Sequence, residues 1–221
     1  MINIAIDGPA GAGKSSLSRL LAKELGYIYV DTGALYRAVG LKFSALGFDT
    51  ELKGDIDAVL EDTVVDIRFI DGAQRVFLDG KDVSDDIRTP IASMMASAVS
   101  AKPPVRAFLL DMQRKLAQNN NVVMDGRDIG TVVLPDAQIK IFLTADVNVR
   151  AERRYKELIE KGEKVTFEDV LADMKVRDYN DSNRPIAPLK QADDAVLADT
   201  SELTFDESLE LLLKISKDGA K

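Results

Sequence analysis

The chain has 221 residues, enough for one α/β core with modest insertions, and its 46% apolar and 30% charged content is ordinary for a globular protein. A net charge of −8 argues against a surface built for nucleic-acid backbones. The absence of cysteine excludes disulfides and thiolate zinc sites, and the absence of histidine leaves acid–base work to carboxylates, lysines or hydroxyls.

Short β-branched runs alternate with longer amphipathic stretches, the pattern of βαβ units on a parallel sheet. In chain order, strands are expected at residues 2–6, 27–30, 122–124, 139–143 and 195–198. Helical patterns cover 15–25, 34–46, 91–101, 105–117, 147–161, 167–180 and 205–216. In the last of these, Leu209, Leu212, Leu213 and Ser216 form a core stripe. No apolar run is long enough to span a bilayer. The first seven residues lack a basic region followed by an apolar stretch, so no secretory signal is expected and the cytoplasm is the default.

One segment interrupts the alternation. Residues 64–70, 75–78 and 81–83 have strand composition and are separated by Asp71-Gly72 and Asp79-Gly80. Asp-Gly between β-forming runs predicts hairpins, hence a small antiparallel meander over about 63–84, inserted between two core strands.

Gly8-Pro9-Ala10-Gly11-Ala12-Gly13-Lys14-Ser15 matches G-x-x-x-x-G-K-[ST] between a predicted strand and a predicted helix. Its glycines let backbone N–H groups wrap a triphosphate, Lys14 reaches the β/γ oxygens, and the Ser15 hydroxyl suits Mg²⁺. The helix that follows aims its dipole at the anion. Ser16 completes the candidate ATP-binding residues. Asp125 ends an apolar strand, where a carboxylate faces the ligand crevice; a solvated turn is the alternative.

Asp31-Thr32-Gly33-Ala34-Leu35-Tyr36-Arg37 follows the second strand. Asp31 or Thr32 could simply cap a helix, with Arg37 one turn inside it and able to point at a phosphate. Arg150, Arg153 and Arg154 share a helix face, as do Arg177, Asp181 and Arg184 by spacing. Solvated faces often carry such charges, but phosphoryl transfer needs cations that gather around the γ-oxygens. Pro103-Pro104 opens a helix that brings Arg106 forward as a candidate ligand contact.

Taken together, residues 6–14, 31–37 and Asp125-Gly126-Arg127-Asp128-Ile129-Gly130-Thr131-Val132-Val133 resemble the bacterial-type cytidylate kinases, a family of nucleoside monophosphate kinases. Arg177-Asp178, Asn183-Arg184 and Ala187-Pro188-Leu189 extend the likeness, as does the inserted meander. The resemblance implies a P-loop NTPase fold: a five-stranded parallel sheet flanked by helices, an NMP-binding insertion with a small antiparallel sheet, and a short lid. It places the core at 1–31, 116–148 and 166–221, the NMP-binding domain at about 32–115 and the lid at about 149–165.

By the same resemblance, Ser97, Arg106 and Asp128 meet the nucleobase, and Arg177 and Asp181 the ribose. Arg37, Arg127 and Arg184 meet the acceptor phosphate with Thr32 nearby, where the family often has serine. Arg150, Arg153 and Arg154 become phosphate clamps, with Arg153 on the ATP side. Lys14, Arg127, Arg184, Arg150 and Arg154 are the expected catalytic cations. The implied activity is ATP-dependent phosphorylation of CMP and dCMP with Mg²⁺, by a cytoplasmic monomer with no nucleic-acid or membrane partner. The alternatives are another small-molecule P-loop kinase acting on UMP, AMP or shikimate, or a nucleotide-dependent switch. A switch would carry a guanine-selecting N-K-x-D or T-K-x-D element, and neither occurs.

Overall fold

The computed structural model describes residues 1–219. They divide into two compact units: residues 1–28 with those from Asn120 onward, and Tyr29–Asn119.

The first unit carries strands β1 (Asn3–Asp7), β6 (Val122–Gly126), β7 (Ile139–Thr144) and β8 (Val196–Asp199). With β2 (Ile28–Asp31) they make the expected five-stranded sheet, in the order β2-β6-β1-β7-β8. The pairings of β1 with β6, β1 with β7 and β7 with β8 are parallel. β1 is therefore central, and Ile4, Ala5 and Ile6 are fully buried, as are Val122, Val123 and Met124 beside them. Such near-continuous apolar strands belong to sheets covered on both faces. Helix α1 (Lys14–Leu25) lies against β1 and β6, and α8 (Phe205–Gly219) packs on α1, β7 and β8 through buried Ser208, Leu212 and Ser216.

Helices α6 (Val147–Glu160) and α7 (Phe167–Asn183) pair over a small core of their own, Ala151, Val170 and Met174, edged by Tyr155 and Phe167. No described helix is long and apolar enough to cross a membrane.

The second unit holds α2 (Thr32–Ala45), α3 (Ile56–Glu61), α4 (Pro90–Ser100) and α5 (Pro103–Asn119) with the antiparallel strands β3 (Val65–Ile70), β4 (Ala73–Leu78) and β5 (Lys81–Asp82). Asp71-Gly72 and Asp79-Gly80 all have φ between 50° and 82°. Positive φ at both central residues is what a two-residue hairpin turn requires, and it gives the registers Ile70↔Ala73 and Leu78↔Lys81. The meander is thus as expected. Its Val76 and Leu78 join Leu35, Val39, Phe43, Met95, Val99 and Leu109 in one core. Both Pro103 and Pro104 sit in the first turn of α5, where a missing N–H costs nothing.

Candidate active site

The donor loop is shaped by sterics. Gly8 follows β1 with φ 153°, and a Cβ there would stand 1.9 Å from the Leu143 carbonyl oxygen of β7. No side chain fits. Gly13 caps α1 in the left-handed region (φ 83°) without a side-chain hydrogen bond, so the first N–H groups of the helix keep their polarity for an anion.

Lys14 is 7% exposed and its Nζ donates to the Pro9 carbonyl at 2.7 Å. Burial, and then the nearby charge of Arg127, hold its pKa well below that of an ordinary lysine, while Asp125 and Asp7 pull the other way. The Ser15 hydroxyl donates to Asp125 Oδ2 at 3.0 Å. A hydroxyl beside a carboxylate is an oxygen donor set that fits a hard divalent cation such as Mg²⁺. Ser16 lies exposed in the first turn of the same helix.

Next to the loop, β6 delivers Gly126 and then Arg127 and Asp128. Arg127 Nε donates to Asp181 Oδ2 at 2.8 Å, and Arg184 pairs with Asp128 at 3.3 Å. Asp128 and Asp181 are both buried. Burial works against the Asp181 charge, but Arg127, Arg177 and Arg184 outweigh it and hold its pKa below the usual carboxylate value. These residues form one compact set of alternating charge.

Spacing places Arg177, Asp181 and Arg184 on one helix face, and here the structure differs for Arg184. Helix α7 ends at Asn183, and Arg184 is already extended (φ −63°, ψ 142°). Pro185 enforces that break, because the residue before a proline is driven from helical to extended backbone. Arg184 reaches Asp128 by a different route, with its Nε donating at 2.6 Å to the carbonyl of Ala187, itself held at φ 47°.

The three arginines of α6 part company. Arg150 is buried: its Nε donates to Ala145 O at 2.8 Å, NH1 to Ala10 O in the donor loop at 2.9 Å, and NH2 pairs with Asp178 of α7 at 2.8 Å. Arg153 donates to the Thr200 carbonyl at 2.8 Å. Arg154 forms a half-exposed pair with Glu157 in the same helix.

In the second unit, Asp31 rather than Thr32 caps α2, its Oδ1 accepting from Ala34 N at 2.9 Å while Oδ2 pairs with Arg37 at 2.9 Å. Gly33 leaves room for that pair, since a Cβ would lie 3.1 Å from Arg37 NH1. The Nε of Arg37 is buried without a partner, a donor available to an anion. Thr32 is buried on the first turn. Arg106 is buried in α5, donating to the Ser100 carbonyl at 3.2 Å with its guanidinium 5.7 Å from the Tyr36 ring centre. Ser97 lies one turn before Ser100 on α4 and accepts from the Ser100 hydroxyl through its carbonyl.

Sequence reasoning missed Asp7, Asp178 and Gln74. Asp7 accepts from Ile129 N and Gly130 N, both at 2.7 Å. Gln74 of β4 accepts from Asp31 N at 2.8 Å and donates to Asp31 O at 3.2 Å, tying the meander to the residue that caps α2. The one available signal was the carboxylate of Asp7 directly before the glycine loop.

The family model described as cytidylate kinase matches residues 4–218. A cytidylate kinase of Caldicellulosiruptor saccharolyticus is 51% identical over 214 residues, spanning 97% of this chain and 95% of that protein. One from Thermosipho melanesiensis is 47% identical over 218 residues, spanning 99% and 98%. Among solved structures, an uncharacterised protein from Eubacterium ventriosum shares the fold with a TM-score of 0.55 at 14% identity, over 98% of this chain and 99% of that one. The strand order, the glycine loop and these matches agree, and the chain belongs to the cytidylate kinase family.

Proposed function

We propose that this protein transfers the γ-phosphoryl group of ATP to CMP or dCMP, giving ADP and CDP or dCDP. The observation that carries the proposal is the crowding of charge behind the donor loop: burial first, and then Arg127 and Arg177, work against the Lys14 ammonium, while Asp125 and Asp7 support it. Such crowding is unfavourable by itself, and a bound polyphosphate offsets it. Ser15 and Asp125 would hold Mg²⁺, which when bound adds to that charge compensation at the phosphates.

A phosphate acceptor is largely ionised at neutral pH, so no strong base is needed and catalysis is positioning plus electrostatics. Lys14 stabilises charge on the transferred group, Arg127 and Arg184 hold the acceptor phosphate with Arg37 and Thr32, and Arg150, Arg153 and Arg154 serve the donor side. Arg177 and Asp181 bind the ribose. Asp128 reads the base: ionised, it accepts from the cytosine 4-amino group and repels the uracil 4-carbonyl, whereas Arg106 donates to ring acceptors and Ser97 suits either. In domain terms we assign residues 32–115 to acceptor binding and 149–165 to a lid. The enzyme would act as a cytoplasmic monomer without a nucleic-acid partner.

The test is a coupled ADP assay with CMP, dCMP, UMP, AMP and shikimate side by side. CMP and dCMP are expected to lead, with UMP lower by about tenfold to a few hundredfold in kcat/KM. Faster turnover of AMP or shikimate would overturn the assignment.

A further inference from the structure

Asp7 is a buried carboxylate to which the phosphoryl-transfer scheme above gives no role. It is the last residue of β1, 4% exposed, and each of its oxygens accepts a backbone N–H at 2.7 Å, one from Ile129 and one from Gly130. Those residues open a single wide helical turn, Ile129–Val133, in which Val133 N donates to Asp128 O and Leu134 N to Ile129 O. Turns of this width are rare and recur at functional sites. Asp128, immediately before the turn, has φ −146° and ψ 26°, neither strand nor helix.

The backbone on either side of Asp128 is therefore held by two devices. On one side β6 pairs with β1, Gly126 opposite Asp7 itself. On the other, the Asp7 carboxylate grips the next two N–H groups. Gly130 lets the grip close, since a Cβ there would lie 3.4 Å from Asp7 Oδ2 and 3.2 Å from Lys140 Cδ. Burial raises the Asp7 pKa to about 6, against the two N–H bonds that lower it. A charge kept in so dry a place needs its partners, and an ionised carboxylate is the side chain that accepts twice without donating.

We propose that Asp7 is a positioning residue for acceptor recognition: by clamping Ile129 and Gly130 it aims Asp128, and Arg127 before it, and so sets the preference for cytosine over uracil without touching the nucleotide. The role rests on Asp128 reading the base. It has geometric consequences, because Arg127 and Asp128 each hold an ion-pair partner, Asp181 and Arg184, across a gap that a shifted backbone would open.

The experiment measures kcat and KM for CMP and UMP, and the KM for ATP, in wild type, Asp7→Asn, Asp128→Asn and the double variant. The asparagine offers one acceptor and turns an NH₂ toward the second N–H, so the clamp is half broken. Asp7→Asn is expected to narrow the CMP-over-UMP ratio of kcat/KM by about tenfold, mainly through KM for CMP, with KM for ATP within about threefold. Added to Asp128→Asn it should change the ratio by less than about twofold, because both act through one carboxylate. Equal losses on both acceptors, or a full effect in the Asp128→Asn background, would make Asp7 merely structural. If Asp128→Asn narrows the ratio and Asp7→Asn does not, the clamp alone is wrong; if Asp128→Asn leaves it unchanged, the base reader fails and the clamp with it. Should Asp7→Asn not fold, Gly130→Ala keeps the carboxylate and crowds the grip. It should narrow the ratio in the same direction, and an unchanged ratio in folded Gly130→Ala overturns the proposal.

Discussion

Residues 8–13 offer a ligand their backbone, whereas Arg127, Arg150 and Arg184 are side chains that already hold other partners. In the loop, the conformation is enforced by what surrounds it: Gly8 faces the Leu143 carbonyl, and no substituent is tolerated. Among the arginines, each guanidinium is oriented by a carboxylate, Asp181, Asp178 or Asp128, and by backbone carbonyls. The loop's carbonyls at Pro9 and Ala10 are engaged, but the N–H groups that open α1 carry no side-chain cap. The arginines are pre-oriented but committed, so a nucleotide that recruits Arg127 or Arg184 must exchange one partner for another. Such an exchange costs little when one anion replaces another, and leaves a buried charge exposed to penalty when a partner is simply removed.

The largest way to break this comparison is on the loop side. Lys14→Ala is expected to lower kcat by at least about 10³-fold, the scale set by losing a preorganised charge on the transferring group. The same change should leave the melting temperature unchanged or slightly raised. Burial disfavours the Lys14 ammonium in the fold, so deleting it relieves a cost that offsets the loss of its hydrogen bond to Pro9 and of the counter-charge to Asp125 and Asp7. Steady-state kinetics with thermal melts check both halves, and near-normal turnover in the folded variant would remove Lys14 from the chemistry.

On the arginine side, Arg150→Ala should act in stability first. It strands the Asp178 carboxylate and leaves the Ala10 and Ala145 carbonyls without their donor. Breaking a buried pair in this way costs about 3–5 kcal/mol, which for a chain of this size is a fall of roughly 10 °C in melting temperature. A variant that melts like wild type yet loses activity would instead make Arg150 a pure phosphate contact.

The same contrast explains what the sequence could disclose. The donor loop, the parallel sheet and the two Asp-Gly hairpins are legible because each is a local demand: a glycine where no side chain fits, or a positive φ where a turn must match strand twist. Partners of charged side chains are tertiary and leave no local trace. Spacing assigned Arg184 to a helix face, yet α7 stops at Asn183, two residues before Pro185, and Arg184 reaches Asp128 through the turn at Ala187. The wide turn at Ile129–Val133 carries β-branched residues that suggest no helix at all, and its determinant, Asp7, lies more than a hundred residues away in sequence. Helix α3, six residues capped by Asp55, is too short to give a periodic signal.

Asp7 joins the two regions, since it leads into the loop and holds the turn behind Arg127 and Asp128, and its titration offers a third test. Its pKa in the folded protein is raised from 3.8 to about 6, chiefly by burial, with Asp128 adding to the rise and Lys14 opposing it. The folded protein therefore keeps a proton that the unfolded chain has released between these values. The stability contributed by this group is full below about pH 4 and is lost as pH rises through about 6. A gap of about two units corresponds to roughly 3 kcal/mol. Urea unfolding of wild type and Asp7→Asn from pH 4 to 8 isolates it, because the other carboxylates are common to both. The stability of wild type relative to the variant should fall by that amount up to about pH 7 and then level off. A difference that is flat over the whole range would mean the carboxylate is not held against its own burial.

The smallest effect is expected at Arg154, one turn along α6 from Arg150. Among the described residues it pairs with Glu157, three residues on in the same helix, and the two side chains are 41% and 47% exposed. Glu157 is also engaged by Lys161, so it is not left bare when Arg154 is removed. An exposed helical pair contributes a few tenths of a kcal/mol and weakens with salt, so Arg154→Ala should shift the melting temperature by less than about 1–2 °C. If Arg154 is a donor-side clamp, as proposed, the cost appears in turnover instead, as a loss of about tenfold in kcat. The loose pair makes that role physically cheap: the guanidinium can leave Glu157 for a phosphate without breaking anything buried. Arg150 cannot do so, being tied to the loop, to Ala145 and to Asp178 at once. Melting and kinetics on the two alanine variants together therefore separate an arginine that builds the site from one that visits it. Equal kinetic losses with equal destabilisation would erase the distinction.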